Sequence, residues 1–133
     1  MMAYIINPAS DPLSIPERQY ATGSEVKFTT FTSCIGVLAM VGTTQLIGIH
    51  LSIYDGPDII TVGDLTQVIN LVQQGSTQIK VIGQISAWEG SVKVVYDSLL
   101  AQLNLKSTDV ETYPFQDGVY GGKVDNGEIE ITF

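Results

Sequence analysis

One cysteine and one histidine occur in the chain of 133 residues, Cys34 and His50, and they are the two side chains best suited to nucleophilic chemistry. A thiol with its ordinary pKa of about 8.5 is mostly protonated at neutral pH. A neighbouring imidazole can take that proton, leaving a thiolate nucleophile and an imidazolium able to protonate a departing amine. A third group usually orients the imidazole by accepting its other N–H. Each residue also has a plainer use: a lone cysteine is commonly a small buried hydrophobe, and a lone histidine a hydrogen-bonded structural group. Metal and cofactor sites are not expected. One cysteine and one histidine need carboxylates to complete a zinc site, and no ligand spacing offers them. Gly118, Gly121 and Gly122 lack the Gly-Lys-Ser/Thr of a phosphate loop, and no nucleophile elbow surrounds Ser33 or Ser52.

The pair must be brought together by the strands that carry it. Residues 25–40, rich in Thr, Phe, Val and Ile, read as one long strand. Val41-Gly42-Thr43 reads as a tight turn and residues 46–54 as the returning strand. With Met40 opposite Thr44, Cys34 falls opposite His50, Gly36 opposite Gly48 and Thr32 opposite Ser52. Directly paired side chains stand about 4.5–5.5 Å apart at Cβ, within reach of a thiol–imidazole contact. Alternation places these six residues on one face, whereas Ile35, Val37, Ala39, Ile47, Ile49, Leu51 and Ile53 share the other and need a core. The Cys34 face is thus expected to be small and polar, its glycines leaving room for a shallow site. A slip of one residue in this register would turn His50 to the opposite face.

The remaining pattern supplies a scaffold. Residues 7–24, with Pro8, Pro12 and Pro16, read as an extended arm. A helix is predicted over 64–74, with Asp64 and Gln67 as a capping box and Gly75 as its stop, and a second over 91–103. Residues 78–86 read as a buried strand, with Trp88 between strand and helix as a core or loop anchor. Residues 110–113 and 118–124 are strand-like, and Asp125-Asn126-Gly127 predicts a hairpin into 128–133. Asp55 and Asp58 read as turn residues. The order predicts an α+β fold, a mixed sandwich-like β core flanked by two helices, in one domain spanning 1–133.

Composition narrows the function classes. Fourteen acidic against six basic residues give a net charge of −8. That charge argues against nucleic acid and anionic membrane as partners, and would attract a basic protein surface. No apolar run approaches the roughly 18 residues of a membrane span, and the first residues lack the pattern of a secretory signal. A cytoplasmic location is the expectation; an effector or toxin delivered by a dedicated secretion machine fits the same sequence.

Thr32-Ser33-Cys34-Ile35-Gly36-Val37, followed by Ile47-Gly48-Ile49-His50-Leu51, resembles the chemotaxis receptor glutamine deamidases and the catalytic domains of the cytotoxic necrotizing factor toxins. Their motif is a Gly-Ser-Cys strand followed, after a short hairpin, by a strand of Gly-x-x-His type, and the spacing here is close to the family's. The resemblance implies a Cys–His deamidase in which Cys34 and His50 form the catalytic pair. Several members orient the histidine with a threonine six residues before the cysteine, a position occupied here by Phe28; some toxins use a backbone carbonyl instead. Thr30, which keeps the parity of Cys34 along the strand, is the candidate third member, although a straight strand would hold it about 13 Å away and a bend is required. Thr32 also stands where the family has glycine. The function so implied is deamidation of a glutamine side chain on a target protein through a thioester, with loops 7–24 and 54–63 choosing the substrate. The alternatives are a non-catalytic binding or inhibitory module of the same fold, and a structural subunit.

Overall fold

The structure is a computed structural model that describes residues 4–133. Strands are β1 (Asn7–Pro8), β2 (Gln19–Gly23), β3 (Glu25–Lys27), β4 (Ile35–Val41), β5 (Gln45–Leu51), β6 (Tyr54–Asp55), β7 (Asp58–Ile59), β8 (Ile79–Gly83), β9 (Val110–Pro114), β10 (Gly121–Asp125) and β11 (Glu128–Thr132). Helices are α1 (Leu65–Leu71), α2 (Ile85–Ser91) and α3 (Lys93–Leu103). The architecture is α+β, as the order of elements predicts. No helix among the described residues is long and apolar enough to cross a membrane.

A six-stranded mixed sheet runs β1-β2-β5-β4-β8-β9, and a three-stranded sheet runs β11-β10-β3. Ile35, Val37, Ala39, Ile47, Ile49 and Leu51 share a core with Leu65, Trp88, Tyr96 and Leu99, so the helices cover this face of the large sheet. The opposite face carries Cys34, Leu38, Met40 and Leu46 into a second core with Val26 of β3 and Ile129 of β11. The small sheet therefore closes the other side. Alternation along β4 and β5 is what allows one hairpin to feed two cores.

Several predicted elements shift. The long strand 25–40 is broken: β3 ends at Lys27, the chain bends through residues 28–34, and β4 begins after Cys34. Phe28 and Phe31 occupy this bend and are both buried. The arm 7–24 contains β1 and β2, which extend the large sheet past β5. A third helix, α2, contains Trp88; its buried indole donates to the Ser33 carbonyl at 3.0 Å. The capping box lies one turn earlier than predicted, between Thr61 and Asp64. Gln67 instead bonds the arm, accepting from the Ile6 N–H and donating to the Tyr4 carbonyl. The Asn126-Gly127 turn is as predicted, both residues having positive φ between paired Asp125 and Glu128.

Candidate active site

His50 is placed by β5 and Cys34 by the last residue of the bend before β4. The turn between the strands consists of Gly42 to Thr44, with Gly42 at φ +65°, so Val41 pairs with Gln45 and every predicted pair moves by two. Gly36, not Cys34, stands opposite His50. A shift of two preserves parity, so Cys34 and His50 still share a face, as diagonal rather than direct neighbours. Among the described residues the two side chains make no hydrogen bond with each other, and each has another partner.

That face is a packed interior rather than a shallow polar site. The space over Gly36 is filled by Phe28, whose Cε2 would lie 2.5 Å from an added Cβ; over Gly48 stand Val26, Phe28 and Ile15. The expectation of open room failed because Leu38, Met40 and Leu46 continue the same face and demand an apolar cover. Cys34 and His50 are both fully buried.

The His50 ring is fixed by packing and by one hydrogen bond. Phe28 meets it edge-on at 5.4 Å between centroids, and Phe31 at 4.9 Å. Nδ1 lies 2.8 Å from the Ile15 carbonyl oxygen. A carbonyl only accepts, so Nδ1 carries the proton and Nε2 keeps its lone pair. Nε2 is buried without a hydrogen-bond partner among the described residues. Burial holds the His50 pKa below its ordinary value, with the Ile15 carbonyl and Glu17 acting in the opposite direction. The imidazole is therefore neutral, with a bare basic nitrogen.

The position orienting the histidine thus belongs to Ile15. Thr30 is exposed, beside Thr29 on the wall of a cleft, and makes no hydrogen bond to His50. Phe28, six residues before Cys34, contributes its ring instead.

Cys34 donates its S–H to Glu17 Oε1 at 3.1 Å. Burial, then the hydrogen bond and negative charge of Glu17, push the thiol up to about 12; the backbone N–H groups of Ser33 and Thr32 favour the thiolate but are outweighed. Gly83 permits this packing: its φ of +118° brings the chain where a Cβ would meet the Cys34 carbonyl at 2.7 Å, and that carbonyl accepts from the Gln84 N–H.

Ile15 and Glu17 belong to the arm, and neither was singled out in the sequence. The signal available is Ile15 itself, an apolar residue between Ser14 and Pro16 in a polar stretch, which is fully buried as an anchor. Two residues further on, Glu17 reaches the sulfur. Glu17 also lines an open cleft of about 540 Å³ with Pro16, Arg18, Gln19, Thr29 and Thr30. Arg18 flanks it, 3.6 Å from Glu17 Oε2, and donates to Ser52 Oγ and the Tyr54 carbonyl. No group of three or more His, Cys, Asp or Glu side chains able to hold a metal ion occurs among the described residues.

No family model matches the chain, and no curated protein matches it.

Proposed function

We propose that this chain is a Cys–His amidohydrolase that deamidates a glutamine side chain on a target protein. The observation that carries the reading is the state of His50: an imidazole buried on the Cys34 face, with Nδ1 tied to a backbone carbonyl and Nε2 left as an unpaired base. An apolar core has no use for such a nitrogen, since leaving it unpaired costs desolvation without return. The motif around Cys34 and His50 and its likeness to glutamine deamidases support the same assignment.

In the reaction, Cys34 Sγ loses its proton to His50 and attacks the carboxamide carbon. The tetrahedral adduct collapses as the imidazolium gives the proton to the departing nitrogen, releasing ammonia and leaving a thioester. Water, activated by the same imidazole, hydrolyses the thioester to glutamate and restores the thiol. Reaching this state requires Cys34 to exchange Glu17 for His50, a movement within the bend 28–34 and the arm.

A second reading rests on the resting thiol. Full burial and a hydrogen bond to a carboxylate are also what a structural cysteine of a non-catalytic binding module would show.

The test is incubation with basic glutamine-containing peptides, reading ammonia release and glutamine-to-glutamate conversion by mass spectrometry. Conversion by the wild type that disappears in Cys34→Ser and His50→Ala supports the enzyme. Cys34 alkylation that is slow in the native protein, unaffected by His50→Ala and fast only on unfolding favours the binding module.

A further inference from the structure

We propose that the cleft lined by Pro16, Glu17, Arg18, Gln19, Thr29 and Thr30 admits a neutral primary carboxamide, and that the Glu17 carboxylate is the group that selects it. The inference rests on the amidohydrolase reading above and adds to it a binding surface and a specificity-determining residue.

Glu17 belongs to both compartments. Its side chain is 44% exposed and lines the cleft, while its Oε1 accepts from the buried Cys34 thiol. Its other oxygen faces Arg18, which is committed elsewhere: the guanidinium donates to Ser52 Oγ at 2.8 Å and to the Tyr54 carbonyl, and its Nε lies 3.5 Å from Asp55. The Arg18 backbone is held at φ +59°, a left-handed conformation uncommon for a long side chain, with its N–H on the His50 carbonyl. Glu17 is thus placed between cleft and sulfur by a neighbour bonded to the residues around His50. The other ionisable groups near this junction are His50, Asp55 and Tyr4.

An ionised carboxylate accepts hydrogen bonds and donates none. A primary carboxamide brings an NH2 group with two donors, so it can replace the thiol as the partner of Glu17. That exchange frees the sulfur at the moment a carbonyl carbon arrives beside it. A carboxylate has no N–H to offer and carries the same sign of charge, so Glu17 disfavours it. One group thereby keeps the thiol protonated when the cleft is empty, admits the carboxamide, and helps expel the carboxylate product.

Iodoacetamide and iodoacetate test this directly. Both alkylate sulfur at a CH2 carbon, forming an S–C bond and releasing iodide while the thiol proton passes to solvent; they differ in bearing a carboxamide or a carboxylate. Second-order rates with each are measured on the wild type, Glu17→Gln, Glu17→Asp and the urea-unfolded chain. The native wild type is expected to prefer iodoacetamide about tenfold more than the unfolded chain does, a factor worth about 1.4 kcal/mol. Glu17→Gln brings the preference back to the unfolded value and raises the iodoacetate rate; Glu17→Asp, which keeps the charge, retains the preference. A native preference equal to that of the unfolded chain overturns the proposal, as does one that Glu17→Gln leaves unchanged. So does a fall in both rates in Glu17→Gln, which would make Glu17 the base for the thiol. Preference without glutamine conversion would leave the cleft assignment standing and remove the enzyme reading; conversion without preference would do the reverse.

Discussion

On the helix side of the large sheet, Ile35, Val37, Ile47, Ile49 and Leu51 meet Leu65, Trp88 and Leu99 in a core of interlocking, mostly aliphatic side chains. On the other side of the same two strands, Gly36 and Gly48 leave hollows that Phe28, Val26 and Ile15 fill, and the rings of Phe28 and Phe31 grip an imidazole. Apart from the Trp88 indole N–H on the Ser33 carbonyl and the Tyr4 hydroxyl on the Ser52 carbonyl, the first arrangement is apolar, so most of its members act through volume. The second buries a thiol and an imidazole, each needing a named partner, and uses glycine and aromatic pairs to fix their placement. Stability is spread across the first face and concentrated at a few contacts on the second.

Substitutions that exchange these properties test the contrast, and Phe28→Ala is expected to have the largest effect. It removes the ring over both glycines and beside His50, costing about 3–5 kcal/mol by chemical denaturation, and speeds Cys34 alkylation in the folded protein. Gly36→Ala comes next, at about 1–3 kcal/mol, because its Cβ meets Phe28 at 2.5 Å and the ring must move. If Gly36→Ala were neutral, the hollow would not be the constraint described. On the helix side Ile49→Val is expected to cost about 0.5–1.5 kcal/mol and to leave Cys34 reactivity unchanged, being a loss of volume alone.

The last difference appears only when pH changes. His50 has a folded pKa below its unfolded value of about 6.5, so the unfolded chain binds the proton more readily. Its contribution to stability is present above that pH and is lost as pH falls below it. Cys34 is opposite: pushed up to about 12, its contribution is present below the ordinary thiol pKa and is lost as pH rises from there toward 12. Denaturation midpoints across pH should therefore show an acid limb that His50→Leu removes and an alkaline limb that Cys34→Ala reduces. Retention of the acid limb in His50→Leu would assign it to other groups.

The parts of this arrangement legible in the sequence were those set by short-range periodicity. Alternation in residues 35–41 and 45–51 places Cys34 and His50 on one face whatever the loop length, provided parity holds, and Asn126-Gly127 specifies its hairpin through two positive φ values. Register was less accessible. Gly42, Thr43 and Thr44 can form the turn in more than one alignment, and only the completed sheet selects Val41 opposite Gln45. The cover over the site was not accessible either. Phe28 and Phe31 have the propensity of strand residues, and their role as the bend against Gly36 and His50 arises from contacts distant along the chain. Thr30 was favoured by strand parity, which lapses where the strand does. The orienting group, a main-chain carbonyl, carries no side-chain signal at all, since any residue at position 15 would supply it.

The arm has a further consequence through the way it is attached. β1 and β2 are parallel neighbours at the edge of the large sheet, so the connection between them leaves the sheet at Pro8 and returns to the same edge at Gln19. Ile15 and Glu17 lie on that loop; its ends are held by the bonds from Asn7 N–H to Arg18 and from Ala9 N–H to Tyr20, and its middle by Ile15 N–H on the Lys27 carbonyl and Thr29 N–H on the Ile15 carbonyl. Detaching this one peripheral segment would uncover the thiol while β4, β5 and β8 stay paired. In hydrogen exchange the amides of Asn7, Ala9, Arg18 and Thr29 would open together as one cooperative unit, at a lower free energy than the central strands. Such a unit would give the sulfur a second exposure, apart from the cleft, through a local unfolding event whose frequency can be measured one amide at a time.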